Sequence, residues 1–183
     1  MRSVTKYQMQ SFIKNLHPKY FDEIYIIFDF SEIFQKIIHL LKYERCISIS
    51  NYFAGEIDSR FNQSFLIAYD LIIPVPLHPV KFRERGYNQS FEILSHLQGN
   101  VRKDVLVRIK NTVSQTKLSR EQRIENVNNA FFCNQSFKGA KILLFDDIIT
   151  TGSTLNACTV ALKDSGCSKV DVLALATPGP DAN

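Results

Sequence analysis

Asp146 and Asp147 stand side by side, and after Ile148 and Ile149 comes a short run of small, mostly hydroxylated residues: Thr150, Thr151, Gly152, Ser153 and Thr154. A bound phosphate needs several donors converging on one point, and the hydroxyls and backbone N–H groups of 150–154 can supply them. Gly152 adds close backbone approach and tolerance of positive φ. The carboxylates would repel a phosphate. They suit a neighbouring vicinal diol, such as that of a ribose, whose hydroxyls donate to carboxylate oxygens. Each part alone equally fits a solvated acidic turn with a Ser/Thr helix cap; all of them in one stretch point to a sugar-phosphate cradle.

Such a cradle needs elements to hold it. The residues before it, Ile142 to Phe145, form an apolar run too short for a helix, the pattern of a strand buried on both faces and closed by the two carboxylates. From about Leu155 to Lys163 the pattern turns helical, with Gly166 just beyond as a stop. Strand, acidic pair, hydroxyl-rich turn and helix together aim the positive end of a helix dipole at the loop.

A second candidate is the turn Pro74 to Pro79, PVPLHP, after the apolar strand Tyr69 to Val75. Three prolines in six residues make it rigid and extended. Prolines carry no N–H, so Leu77 and His78 must do any donating there, although a lone histidine beside prolines also reads as structural. Ligands of open parallel sheets bind at the carboxyl ends of strands. This turn and the 146–154 loop therefore could face one crevice, about seventy residues apart in sequence.

The rest of the chain fits this arrangement. Glu23 to Phe30 reads as a strand, Ser31 as the cap of a helix carrying Ile33, Phe34, Ile37, Ile38 and Leu41, and about 48–59 as another helix. Gly86 permits a turn before a helix from Tyr87 to about Leu97. Asp104–Ile109, Val127–Phe132 and Lys169–Ala176 read as further strands. Strands that are apolar on both faces and alternate with helices predict an α/β domain around a mainly parallel central sheet flanked by helices. The expected division is an N-terminal arm over 1–22 and one domain over 23–183.

Composition bounds the function. The 183 residues are 45% apolar, enough for one ordinary core. No apolar run reaches the eighteen residues of a membrane span, and the first residues lack the apolar segment of a secretory signal, so the expected compartment is the cytoplasm. The four cysteines, Cys46, Cys133, Cys158 and Cys167, form no CxxC pair, and no zinc is expected. Net charge is +4. From Pro79 to Arg123 ten Lys and Arg stand against four acids, so the positive charge is concentrated there, suited to a polyanionic substrate or to nucleic acid. Much of that segment, Lys110 to Asn126, is polar without apolar period, as functional loops often are.

Five motifs occur in order: IHLLKY at 38–43, PVPLHP at 74–79, RERGYNQS at 83–90, SQTKLSREQRIENV at 114–127 and the DDIITTGST loop at 146–154. In this combination the chain resembles the ComF (competence protein F) family within the type I phosphoribosyltransferases, from about Tyr25 to Ala176. The resemblance implies the type I phosphoribosyltransferase fold, with little or no hood over the site. It implies a site for phosphoribosyl pyrophosphate (PRPP) with Mg²⁺ held largely through the substrate, not in a protein cage. Asp146 and Asp147 would take the ribose hydroxyls, Thr150, Thr151, Gly152, Ser153 and Thr154 the 5-phosphate, and Leu77 and His78 the pyrophosphate. A flexible catalytic loop would supply Arg108, Lys110, Gln115, Lys117, Arg120 and Arg123. Arg83 and Arg85 are candidates for contact with nucleic acid.

Many members of that family begin with a four-cysteine zinc module, and this chain has no such cysteines. The implied role is in DNA uptake during natural transformation, with PRPP, single-stranded DNA and a competence helicase or other uptake proteins as partners. The alternative is an active phosphoribosyltransferase of nucleotide metabolism, releasing pyrophosphate as it glycosylates a nucleobase or amine. The chain is expected to be an enzyme, of the pentosyltransferase class, or else a DNA-binding competence factor that uses the fold only as a scaffold.

Overall fold

A computed structural model of the chain describes residues 19–44, 46–61, 63–110 and 130–178. Within them the central sheet is fully parallel. Its order is β1 (Ile24–Asp29), β6 (Lys169–Thr177), β5 (Lys141–Ile148) and β2 (Leu71–Pro74). A two-stranded antiparallel hairpin, β3 (Leu106–Arg108) and β4 (Phe131–Cys133), stands apart from it. The α/β class, the mainly parallel sheet and the flanking helices are as expected.

Side-chain alternation along the strands sorts the core into two layers. Ile142 and Leu144 of β5, with Val170, Val172 and Ala174 of β6, face helix α6 (Ser153–Asp164) through Leu155, Cys158 and Leu162, and the hairpin through Leu106 and Phe131. Leu143, Phe145, Leu173 and Leu175 point the other way. They meet α1 (Glu32–Tyr43) and α2 (Ser48–Arg60) through Phe34, Leu41, Phe53 and Ile57. Ser31 caps α1 as its sequence suggests, its side chain accepting from the Phe34 N–H at 3.2 Å. At the end of the segment read as an arm, Phe21 is buried in the first layer, and Asp22 accepts from the Val170 N–H. Residues 1–18 lie outside the described residues.

Three local readings change. Pro79 to Arg85 forms a short helix, α4, instead of continuing the extended turn. Pro79 sits in its first turn, where the missing N–H costs nothing, His78 caps it, and Gly86 ends it at φ 84°. A one-turn helix, α3 (Gln63–Ile67), also appears, and α5 is confined to Gln89–Leu94. Strand β5 does not stop at Phe145 but runs on through both carboxylates to Ile148.

Pro74 is tolerated because β2 is at the sheet edge. The Ile72 N–H points outward to Asn100 and the Val75 N–H inward to Phe145, so the missing N–H of Pro74 falls on the outer side. Neighbouring β2 and β5, with Pro74 opposite Phe145, bring the PVPLHP turn and the 146–154 loop to the same end of the sheet.

One buried carboxylate depends on three donors. Asp171 of β6 is fully buried and accepts from the Glu23 N–H (3.0 Å), the Tyr69 hydroxyl (2.7 Å) and the Lys169 ammonium (2.7 Å). Tyr69→Phe removes one donor and keeps the ring, so we expect a loss of about 1–3 kcal/mol in unfolding free energy, read from urea denaturation against the unaltered chain.

Candidate functional site

The continuation of β5 decides how the acidic pair is used. With side chains alternating, Asp146 leaves the strand on the α6 side and Asp147 on the α1 side. Asp147 is 3% exposed and already held: Lys42 of α1 makes an ion pair with it, and the Gln89 side-chain amide of α5 donates to it at 3.2 Å. Asp146 is half-buried and accepts from its neighbour's backbone N–H (2.9 Å) and from the Ser90 hydroxyl (3.3 Å). The sequence expectation put both on ribose hydroxyls; in the structure Asp147 pairs with Lys42 and Asp146 lines the loop recess.

Electrostatics separates the pair further. Burial and the adjacent charge of Asp147 push the Asp146 carboxyl well above the usual carboxylate range. Burial acts upward on Asp147 as well, but the Lys42 charge and hydrogen bond, with the Gln89 amide, outweigh it and leave Asp147 below that range. Asp147 is thus the stronger acid of the pair and Asp146 the weaker.

Beside Asp146, the loop behaves as its composition suggests. Gly152 takes φ 71° and forms the N-cap of the twelve-residue α6. Ser153 is buried, and its hydroxyl lies 3.0 Å from that of Thr151. Asp146, Ile149, Thr150, Thr151, Gly152 and Thr154 line a small recess of about 70 Å³ at this helix end. The N–H groups of a helix's first turn have no intrahelical acceptor and carry the positive end of its dipole, so the recess suits an anion.

At the same end of the sheet stand Leu77, His78 and several cations. The His78 ring is engaged structurally: its Nδ1 accepts from the Val80 N–H at 3.2 Å and caps α4. Lys81 was not singled out in the sequence. Desolvation and the charges of Arg108, Arg85 and Lys42 push its ammonium below the ordinary value, which places four cations in one field. Arg108 is at the end of strand β3, half-buried and near Asp146, with its guanidinium over the Phe131 ring. It is therefore a fixed wall of the crevice and not part of a loop. Lys110 is exposed at the end of its described stretch, and Gln115, Lys117, Arg120 and Arg123 lie outside the described residues.

Motifs quoted for resemblance turn out to be the supports of this site. In RERGYNQS, Asn88 caps α5 and donates to the Val75 carbonyl (2.9 Å), Gln89 reaches Asp147, and Ser90 reaches Asp146. Arg85, read as a nucleic-acid contact, is half-buried; it donates to the Gln89 side-chain oxygen and lies over the Tyr43 ring. Arg83 is exposed. From IHLLKY come Lys42 and Tyr43. Sequence reasoning missed Lys42, Gln89 and Ser90 as site residues, although two of its own motifs contain them.

Among the described residues no group of three His, Cys, Asp or Glu side chains could hold a metal ion, and no helix is long and apolar enough to cross a membrane.

The ion pair has a measurable cost. Lys42→Met leaves Asp147 buried without its partner and should lower stability by about 3 kcal/mol at pH 7. Asp146→Asn should be neutral or stabilising at that pH. The folded pKa of Asp146 lies above its unfolded value, so its contribution is full below the ordinary carboxylate range and is lost as pH rises through the folded value. Asp147 is the reverse, contributing above that range and losing it as pH falls through its depressed value. Urea melts of the three proteins across pH should show Asp146→Asn abolishing the loss on the alkaline side.

No family model matches the chain. Competence protein F of Haemophilus influenzae is 36% identical over 115 residues, 58% of this chain and 50% of that one. Competence protein ComFC of Bacillus subtilis is 25% identical over 140 residues, 76% of this chain and 58% of that one. The DNA utilization protein YhgH of Escherichia coli is 27% identical over 168 residues, 86% of this chain and 73% of that one. The chain thus spans a half to three-fifths of the length of the first two of these relatives. Solved structures superpose loosely: a hypoxanthine-guanine phosphoribosyltransferase from Bacillus anthracis is 14% identical, at a TM-score of 0.40 over 74% of this chain and 68% of that one. Over part of their length, then, the chain is similar to proteins named for competence and for DNA utilization.

Proposed function

We propose that the chain binds PRPP and acts in the handling of DNA taken up in natural transformation. The observation that carries the first part is the recess at the N-terminus of α6, with Asp146 at its edge and the cations Lys81 and Arg108 at the same end of the sheet. The 5-phosphate would sit on Thr150 to Thr154. The diphosphate would face Lys81, Arg108 and the turn at Leu77 and His78. The ribose hydroxyls would meet Asp146, while Asp147 holds Lys42.

Mg²⁺ fits this donor set. It is a hard cation that leans on substrate oxygens and keeps its waters, and Asp146 is the carboxylate left to it. When bound it would offset diphosphate charge. The chain's own share is to orient the sugar, hold the phosphate and supply fixed positive charge around the leaving group of a pyrophosphate-releasing reaction. Enzymatic turnover, a cytoplasmic location and partnership with a competence helicase follow as parts of the same reading. The competence and DNA-utilization names of the relatives, and the exposed charge around Arg83, support the second part.

Titration calorimetry with PRPP and Mg²⁺ tests the first part. Binding should need Mg²⁺ and fall roughly tenfold or more in Thr154→Val and in Asp146→Ala, each losing a hydrogen bond to a charged or strongly polar ligand. Absence of binding, or variants that bind as well as the parent, would reject it. For the second part, log affinity for single-stranded DNA against log salt should be linear. Arg83→Gln should lower its slope by about the share of one phosphate contact, and an unchanged slope would remove this surface from DNA binding.

A further inference from the structure

The hairpin leaves one strand edge open, and a groove runs beside it. Three residues around β4 turn their main-chain groups toward β3. The Ala130 carbonyl accepts from the Ile109 N–H at 2.8 Å, Phe132 stands opposite Val107, and the Asn134 N–H donates to the Val105 carbonyl at 3.1 Å. Main-chain groups of successive strand residues point to opposite sides, so those of Phe131 and Cys133 face away from β3. Among the described residues no backbone group pairs with them. The same stretch, residues 131–136, forms one wall of a groove of about 500 Å³, and Ala161, Asp164 and Ser165 at the end of α6 form the other. The loop recess is at the opposite end of this helix, about 18 Å away.

A strand edge and a helix facing each other across a groove are the setting in which an extended peptide adds to a sheet, main chain to main chain. The side chains select that peptide. Phe132 is 57% exposed and its cross-strand neighbour Val107 is 40% exposed, an apolar row on the outer face of the hairpin that a further strand would continue. On the inner face, the added side chains would lie over Ala161 and Asp164. Asp164 is exposed at the negative end of the helix dipole. The adjacent Lys163 ammonium does not neutralise it, being turned to Asp22 and to the Ser168 carbonyl. A cation on the incoming strand would therefore complement the groove. A second copy of β4 brings none, since Phe131, Phe132 and Cys133 are uncharged.

We infer that the open edge of β4 takes up an extended segment of a partner protein. Its main chain pairs with Phe131 and Cys133. Its side chains alternate, apolar residues beside Phe132 and lysine or arginine toward Asp164. The inference does not depend on what the loop recess binds, and its test omits PRPP and DNA.

The test adds three capped peptides to the full chain: one of alternating valine and lysine, its fully N-methylated form, and its valine–glutamate counterpart. Binding is read by calorimetry and by amide hydrogen exchange. The valine–lysine peptide should bind and protect the Phe131 and Cys133 amides, with no comparable change at Phe132, whose amide faces β3. The N-methylated form, which has no N–H to pair, and the glutamate form should bind roughly tenfold more weakly or worse. Cys133→Pro removes an outward N–H at an edge position that proline can occupy, and should abolish binding in a protein whose urea melt is intact. Asp164→Lys, at an exposed site, should weaken the valine–lysine peptide roughly fivefold or more and favour the glutamate one, and it decides the matter if the proline variant does not fold. No binding of the valine–lysine peptide, equal binding of its N-methylated form, or affinity indifferent to Asp164→Lys would overturn the inference. So would protection of the two amides that rises with protein concentration in the absence of peptide, which assigns the edge to a second copy.

Discussion

Two adjacent carboxylates cannot both be ionised at one buried strand end unless one is paired, and the site is built around that constraint. Desolvation and mutual repulsion would otherwise drive both toward the protonated form. Lys42 settles the matter in favour of Asp147, and Asp146 is left the weaker acid. What looks in the sequence like a duplicated function is a division of labour. Asp147 anchors helix α1 and the start of α5 under the sheet end, and Asp146 is left to the ligand side.

The rest of the site follows from that pairing. Lys42 reaches Asp147 only because α1 packs through Phe34, Ile38 and Leu41 with its last turn at the carboxyl end of β5. Gln89 reaches it only because Asn88 caps α5 and ties that cap to Val75 at the end of β2. Arg85 steadies Gln89 and lies on Tyr43, so IHLLKY and RGYNQS close on each other around a single carboxylate. The three prolines of the intervening turn hold β2's exit rigid while this happens. An ion pair of this kind is a weak source of stability, but it is a strong specifier of position.

Much of this was legible in the sequence. The apolar runs at 24–29, 71–74, 142–145 and 169–176 identify the sheet, the spacing of Phe34, Ile38 and Leu41 identifies α1, and TTGST identifies the loop at the head of α6. Three things were hidden. Helix α4 carries no buried side chain, so it has no apolar period to reveal it; only Pro79 after a capping residue marks its start. Asp146 and Asp147 have poor strand propensity, and a reading by residue type ends β5 before them. Pairing with β6, Asp146 opposite Ala174 and Ile148 opposite Ala176, carries the strand past them. Finally, spacing within one segment gives no sign that Lys42 and Asp147 meet, since over a hundred residues separate them and only the docked helix brings them together.

The cap at Asn88 joins two regions that differ in chemistry. Tyr87, one residue before it, is a wall of a pocket that Phe82 and Phe91 also line, and Gln89, one residue after it, holds Asp147. One capped turn therefore sets both walls, its Asn88 side chain accepting from the Ser90 N–H and donating to the Val75 carbonyl. A helix of six residues thereby ties an aromatic surface to the acidic pair.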